Sequence, residues 1–115
     1  MKDVNGVITY KGRDYNIVFN LNVMERIQEE YGSVDKWGAL TAPKKGEPNA
    51  KAVIFGLTEM INEGIDIDNE ENGTQIPFFT KKQVGRMLSE VGMESATQTM
   101  KDTIVDSVKD DIKNA

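Results

Sequence analysis

A chain of 115 residues is the size of one domain, and its 28 Leu, Ile, Val and Phe residues can build a core, though a lean one. With no Cys and no His, it excludes a disulfide frame, a thiolate nucleophile, a Cys-based zinc site, and the commonest general base and metal ligand. Residues 1–57 hold eight Lys/Arg against seven Asp/Glu and residues 58–115 six against twelve, nets of +1 and −6, so nucleic acid is not an expected partner.

Residues 4–21 read as a β-hairpin. "GVITY" and "YNIVFNL" flank "KGRD", where Gly12 can take the positive φ of a tight turn. Tyr15, Ile17, Phe19 and Leu21 share one face of the second strand, with Asn16, Asn20 and Asn22 opposite. A lone hairpin is marginal in water, so this one must lie on helices or pair with another chain. Asn22 with Glu25 three residues on predicts a capped helix. Val23, Ile27 and Tyr31 form its apolar stripe, and Gly32 is its stop. "SVDKWGAL" predicts a further helical turn under Trp37.

"TAPKKGEPN", residues 41–49, reads as a loop, and Asn49 caps a helix predicted over Ala50–Glu63. Val53, Leu57, Met60 and Ile61 mark its buried face, and Gly64 is read as its end. The stretch 65–79, "IDIDNEENGTQIPFF", reads as a second, acidic loop. Thr80 and Gln83 form a capping box before a helix whose Val84, Met87, Leu88 and Val91 face the core and which Gly92 stops. Ser95 with Gln98 opens the last helix, with Met100, Ile104, Val105, Val108 and Ile112 predicted on its buried side. The expected architecture is α+β, mainly α. An N-terminal hairpin (4–21) packs on a bundle of four to five helices (22–113), and one domain spans 1–115.

Few residues offer chemistry. Asp68, Glu70, Asn72 and Gly73 stand at the first, third, fifth and sixth positions of a calcium loop, but the bidentate Glu required at the twelfth is Phe79. Glu59 and Glu63 share a helix face that reads as wet surface, with no pocket to separate their pKa values. Ser33, Ser89, Ser95 and Ser107 have no His to activate them, and no Gly-rich loop has phosphate-cradle spacing. No catalytic residue, cofactor or metal is expected. No apolar run approaches the roughly 18 residues of a membrane span. Met1-Lys2-Asp3-Val4 begins no signal peptide, so the expected setting is soluble and cytoplasmic, without a membrane partner.

What remains is surface. Ile17 and Phe19 on the hairpin, the aromatics Trp37, Phe78 and Phe79, and the stripe Asp102, Asp106 and Asp110 on the last helix are the candidate partner-binding residues. Core for the aromatics and a solvated face for the aspartates are the competing readings. The hairpin's open edges could accept a partner strand or a second copy, while Lys11 and Arg13 at the turn discourage indiscriminate pairing.

Taken in order, "YNIVFNL", "NVMERIQEEYGS", "AVIFGLTEMINEG", "FTKKQVGRMLSEVG" and "ATQTMKDTIVDSVKD" resemble the tail assembly chaperones of long-tailed bacteriophages and gene transfer agents, over about 100 residues. The resemblance implies a small, mainly helical, noncatalytic protein of the host bacterial cytoplasm. Such a protein would bind the tape measure protein, recruit tail tube subunits around it, and be absent from the mature virion. It also implies that a longer frameshifted form often accompanies the short one. The alternative within the same setting is a structural tail-completion or head–tail connector subunit.

Overall fold

The computed structural model describes residues 5–113, with side chains from 6 to 108. Val4 and the side chains of Asp110 and Ile112 lie outside the described residues. The architecture is the expected mainly helical α+β: a two-stranded antiparallel sheet followed by five helices.

Strands β1 (Asn5–Tyr10) and β2 (Arg13–Val18) pair in the register Tyr10–Arg13, Ile8–Tyr15, Gly6–Ile17. Both turn residues have positive φ, Lys11 at 52° and Gly12 at 74°, which matches the twist that a two-residue hairpin loop requires. Ile8, Ile17 and Phe19 are buried. Val18, on the opposite parity, is buried as well, so the end of β2 is covered on both sides.

Helix α1 (Leu21–Tyr31) starts two residues earlier than its sequence indicates. Its cap is Asn20, not Asn22: the Asn20 side-chain oxygen accepts from the backbone N–H of Asn22 and Val23. The same amide donates through Nδ2 to Glu63 Oε2 at 2.7 Å, which fixes the cap from a helix 43 residues away. Glu25 therefore has no role in a capping box, and Leu21 leaves the hairpin face to stand 65% exposed. Helix α2 (Val34–Thr41), capped by Ser33, makes two full turns beneath Trp37.

Helix α3 (Ala50–Asn72) runs straight through Gly64 and ends at Gly73 in the left-handed conformation. The predicted stop is instead a place of close approach. In a two-residue hairpin Tyr10–Arg13 is a hydrogen-bonded pair, so Val7–Asn16 is not, and the Asn16 carbonyl points off the outer margin of β2. A Cβ on Gly64 would overlap that carbonyl oxygen. Glycine lets α3 lie against the strand, and Asn16 Nδ2 reaches Asp68 further along the same helix. Of the two hairpin edges expected to be open, the β2 edge is covered.

Gly64→Ala should lower stability by about 1–3 kcal/mol through this overlap, although alanine is the better helix former by about 1 kcal/mol. Gly85→Ala in α4 would meet only Ile54 Cδ1, at 3.7 Å. It should raise stability by roughly 0.5–1 kcal/mol. Urea unfolding midpoints decide, and a Gly64→Ala midpoint at or above wild type rejects the packing argument.

The expected acidic loop 65–79 is helical as far as Asn72; its remainder, residues 74–79, runs back along α3 and is held by two asparagines seven positions apart. Asn69 pairs with both backbone groups of Ile76, and Asn62 accepts from Phe79 N–H and donates to Phe79 C=O. The chain then enters α4 (Lys81–Val91) through the predicted capping box, with both Thr80–Gln83 bonds formed.

A single residue, Gly92, separates α4 from α5 (Met93–Lys113). The buried side of α5 is only in part the predicted one: Met100 is buried as expected, but the face is turned away from the valines. Ala96, Met100, Thr103 and Ser107 face inward, whereas Val105 and Val108 are 39% and 44% exposed and Ile104 is half-buried. Ser107 donates to the Phe19 carbonyl and Thr103 to the Thr99 carbonyl, so both hydroxyls are satisfied inside.

One core unites hairpin and helices. At its α1 margin the Tyr31 ring meets Phe55 edge-on at 5.4 Å, and the Tyr31 hydroxyl, buried, finds no hydrogen-bond partner among the described residues. Burial, and secondarily the Glu30 carboxylate, pushes the phenol above its ordinary pKa of 10.0. The folded state thus holds this proton more tightly than the unfolded chain does. Its contribution is intact below pH 10 and is lost as pH rises through the folded value. Tyr31→Phe should be stabilising, by up to about 1 kcal/mol, because it removes an unpaired buried hydroxyl. It should also soften the alkaline loss of stability in thermal melts between pH 8 and pH 11. A clear drop in melting temperature would show that the hydroxyl is paired after all.

Candidate functional site

The residues singled out from sequence divide sharply. Ile17, Phe19 and Trp37 are 0%, 1% and 2% exposed and lie within the core, so their first role in this fold is packing. Phe79 is half-buried, edge-on to Tyr15 at 5.1 Å. Phe78 is 55% exposed, and Asp102 and Asp106 lie on the open side of α5.

The groups that could have carried chemistry are otherwise engaged. Glu59, read as wet surface, is largely covered and pairs with Arg26 at 3.4 Å. Glu63 accepts from the side chains of both Asn20 and Asn22. These contacts join α1 to α3 and leave a shallow cleft of about 350 Å³ bordered by Phe78. Asp68, Glu70 and Asn72 ride on the last turns of α3, which replaces the loop geometry a calcium shell needs with a regular helix. Ser33 caps α2, Ser89 bonds the Gly85 carbonyl, and Ser107 is buried against Phe19.

A second concavity went unforeseen. Between α2 and α5 runs a groove of about 370 Å³ with Trp37 and Met100 at its base, Val34 and Gly38 on one wall, and Ile104 and Val105 on the other. Trp37 is fixed there because Gly56 has no Cβ to displace its ring and its indole Nε1 donates to the Ala52 carbonyl at 2.9 Å. Asp35 and Lys101 stand at the rim. Val108 continues the apolar wall one turn beyond the groove, and Asp102 and Asp106 follow the outer flank of α5. No local signal marks the groove in the sequence, because Met100, Ile104, Val105 and Val108 fit a single buried stripe at helical spacing.

Among the described residues, no group of three or more acidic side chains is placed to hold a metal ion, and no helix is long and apolar enough to cross a membrane. No family model, curated protein or solved structure matches the chain.

Proposed function

We propose that this chain is a noncatalytic binding protein of the phage or prophage tail-assembly chaperone type, which holds tape measure and tail tube proteins soluble and guides their polymerisation. The observation that carries the reading is the open apolar groove between α2 and α5, with Asp35 and Lys101 at its rim and no reactive group in working geometry. A chain that leaves Ile104, Val105 and Val108 partly uncovered has surface to lend, and lending surface is what a chaperone of this kind does. The order of hairpin and helices, on which the sequence resemblance rests, supports the same reading. The protein would work in the cytoplasm of the host bacterium and leave before the virion matures.

Co-expression with a tape measure protein tests it. The long helical partner should stay soluble and co-purify with this chain, and should precipitate alone. Equal solubility with and without the chain rejects the role. Mass spectrometry of purified particles separates the alternative: a tail-completion or connector subunit would be present in fixed copy number, a chaperone absent.

A further inference from the structure

We infer that the free margin of β1 takes a single extended strand from a protein partner, with Lys or Arg on the side that faces α5. The inference deepens the binding role just proposed, and rests on it for the partner being a protein.

The occupant is a strand because β1 ends the sheet with its backbone unpaired. Val7–Asn16 and Thr9–Asp14 are the non-hydrogen-bonded pairs of the hairpin, so the N–H and C=O of Val7 and Thr9 point away from β2. Among the described residues no hydrogen bond meets these groups, and Thr9 engages only its hydroxyl, on Asp14. Val7 is 49% exposed and Thr9 is exposed, so the approach to the margin is open. An extended chain pairs such a row as a further strand of the sheet.

It is one strand alone because of what lies beneath β1. A Cβ on Gly6 would overlap Thr103 Oγ1 and come within 3.2 Å of Thr99 Cγ2, so α5 runs directly under the strand. A second copy pairing β1 with β1 would bring its own α5 along. Paired strands stand about 4.8 Å apart, whereas packed helices need about 8–10 Å between their axes. The two α5 helices would collide. A segment with no helix beneath it meets no such obstacle.

The strand is basic because of the flank that α5 turns toward it. At about 100° per residue, Thr99 and Thr103 face β1, with Met100 and the core on one side of them. Asp102 and Asp106 follow on the other side, exposed and one turn apart, below the free margin. Thr103 lies under Gly6 and Ser107 bonds the Phe19 carbonyl, so the two aspartates border β1 from Gly6 toward its start. Lys11 and Arg13 belong to the turn, at the opposite end. Alternate side chains of an added strand point down beside α5, where Lys or Arg meets these carboxylates. Exposed charge pairs are individually weak, so they select the strand while the backbone ladder holds it.

The full-length protein is titrated with fluorescent peptides of about seven residues, followed by anisotropy. One alternates Lys with Val and one alternates Glu with Val. Two more are the Lys peptide N-methylated either at its Val amides or at its Lys amides. With Lys side chains toward α5, the Val amides are the ones that face β1. The Lys peptide and its Lys-methylated form should therefore bind about tenfold or more tighter than the other two. Amide exchange at Val7 and Thr9 should slow in the complex. Val7→Pro, at an edge position whose N–H points outward, should fold and weaken the Lys peptide about tenfold or more. Asp102→Lys with Asp106→Lys should turn the preference to the Glu peptide. Equal affinity for the Lys and Glu peptides, or for the two methylated forms, overturns the inference, as does unchanged exchange at Val7 and Thr9. A wild-type dimer in sedimentation that Val7→Pro dissolves also overturns it, because the occupant is then a second copy. The two proposals fail separately. Lys-peptide binding without any effect on tape measure solubility leaves the strand site standing and removes the chaperone role. Tape measure protein captured equally well by Val7→Pro does the reverse.

Discussion

Phe19→Asp is expected to leave almost no folded chain. Phe19 is 1% exposed at the end of β2, and its carbonyl is the acceptor of the Ser107 hydroxyl. Truncating a buried Phe removes about 3–5 kcal/mol of packing. A carboxylate in its place adds an unpaired buried charge, which costs several kcal/mol more or forces the group to protonate. Against a total stability of about 5–15 kcal/mol, the sum is decisive for a lean core of this size. Ile17→Asp, at a wholly buried position beside Gly6, should behave alike. Val7→Asp on the same hairpin, where the wild-type side chain is half open to solvent, should fold. Far-UV circular dichroism of the three soluble fractions is the measurement. A cooperative melt for Phe19→Asp near that of wild type would contradict the packing of hairpin on helices.

Trp37→Ala carries the next largest penalty, about 3–5 kcal/mol. The ring bridges three helices. It belongs to α2, lies on Gly56 of α3 with its N–H on the Ala52 carbonyl, and shares the base of the groove with Met100 of α5. The α3 surface beneath it is an alanine and a glycine, so only Met100 can move toward the space, and it fills part of it at most. Trp37→Phe keeps an aromatic ring and loses only the outer ring and the hydrogen bond, so it should cost about half as much. Urea unfolding followed by circular dichroism is the appropriate probe, because both changes remove the fluorophore. Equal stability of wild type and Trp37→Ala would mean the indole does not bridge the helices.

Local patterns gave most of the elements, and the errors have a common cause. Capping at Asn49 and Thr80 and the stops at Gly32 and Gly92 depend on neighbours a few residues away, and these were legible. The features set by distant parts of the chain were not. Asn20, not Asn22, is the cap, and the carboxylate that receives both asparagine amides, Glu63, lies far along the sequence. Gly64 looks like a helix stop until β2 is known to pass within contact of it; the spacing Ile61, Ile65, Asn69 was the available hint that the helix continues. On α5, counting apolar residues cannot see that Thr103 and Ser107 are the better fit to an inner face where the hairpin brings Gly6 and the Phe19 carbonyl. Assigning the valines inward hid the groove, and assigning Trp37 as either anchor or core missed that it is core beneath a surface depression.

The bond between Ser107 and Phe19 has a consequence for synthesis. It closes a separation of 88 residues, so the strand that emerges early from a ribosome waits for nearly the whole remainder before its cover arrives. At the usual ~5–20 residues per second the delay is roughly 4–18 s, during which Ile17 and Phe19 have no helix α5 beside them. For that interval the newborn polypeptide is itself in need of the shelter it is proposed to give to others.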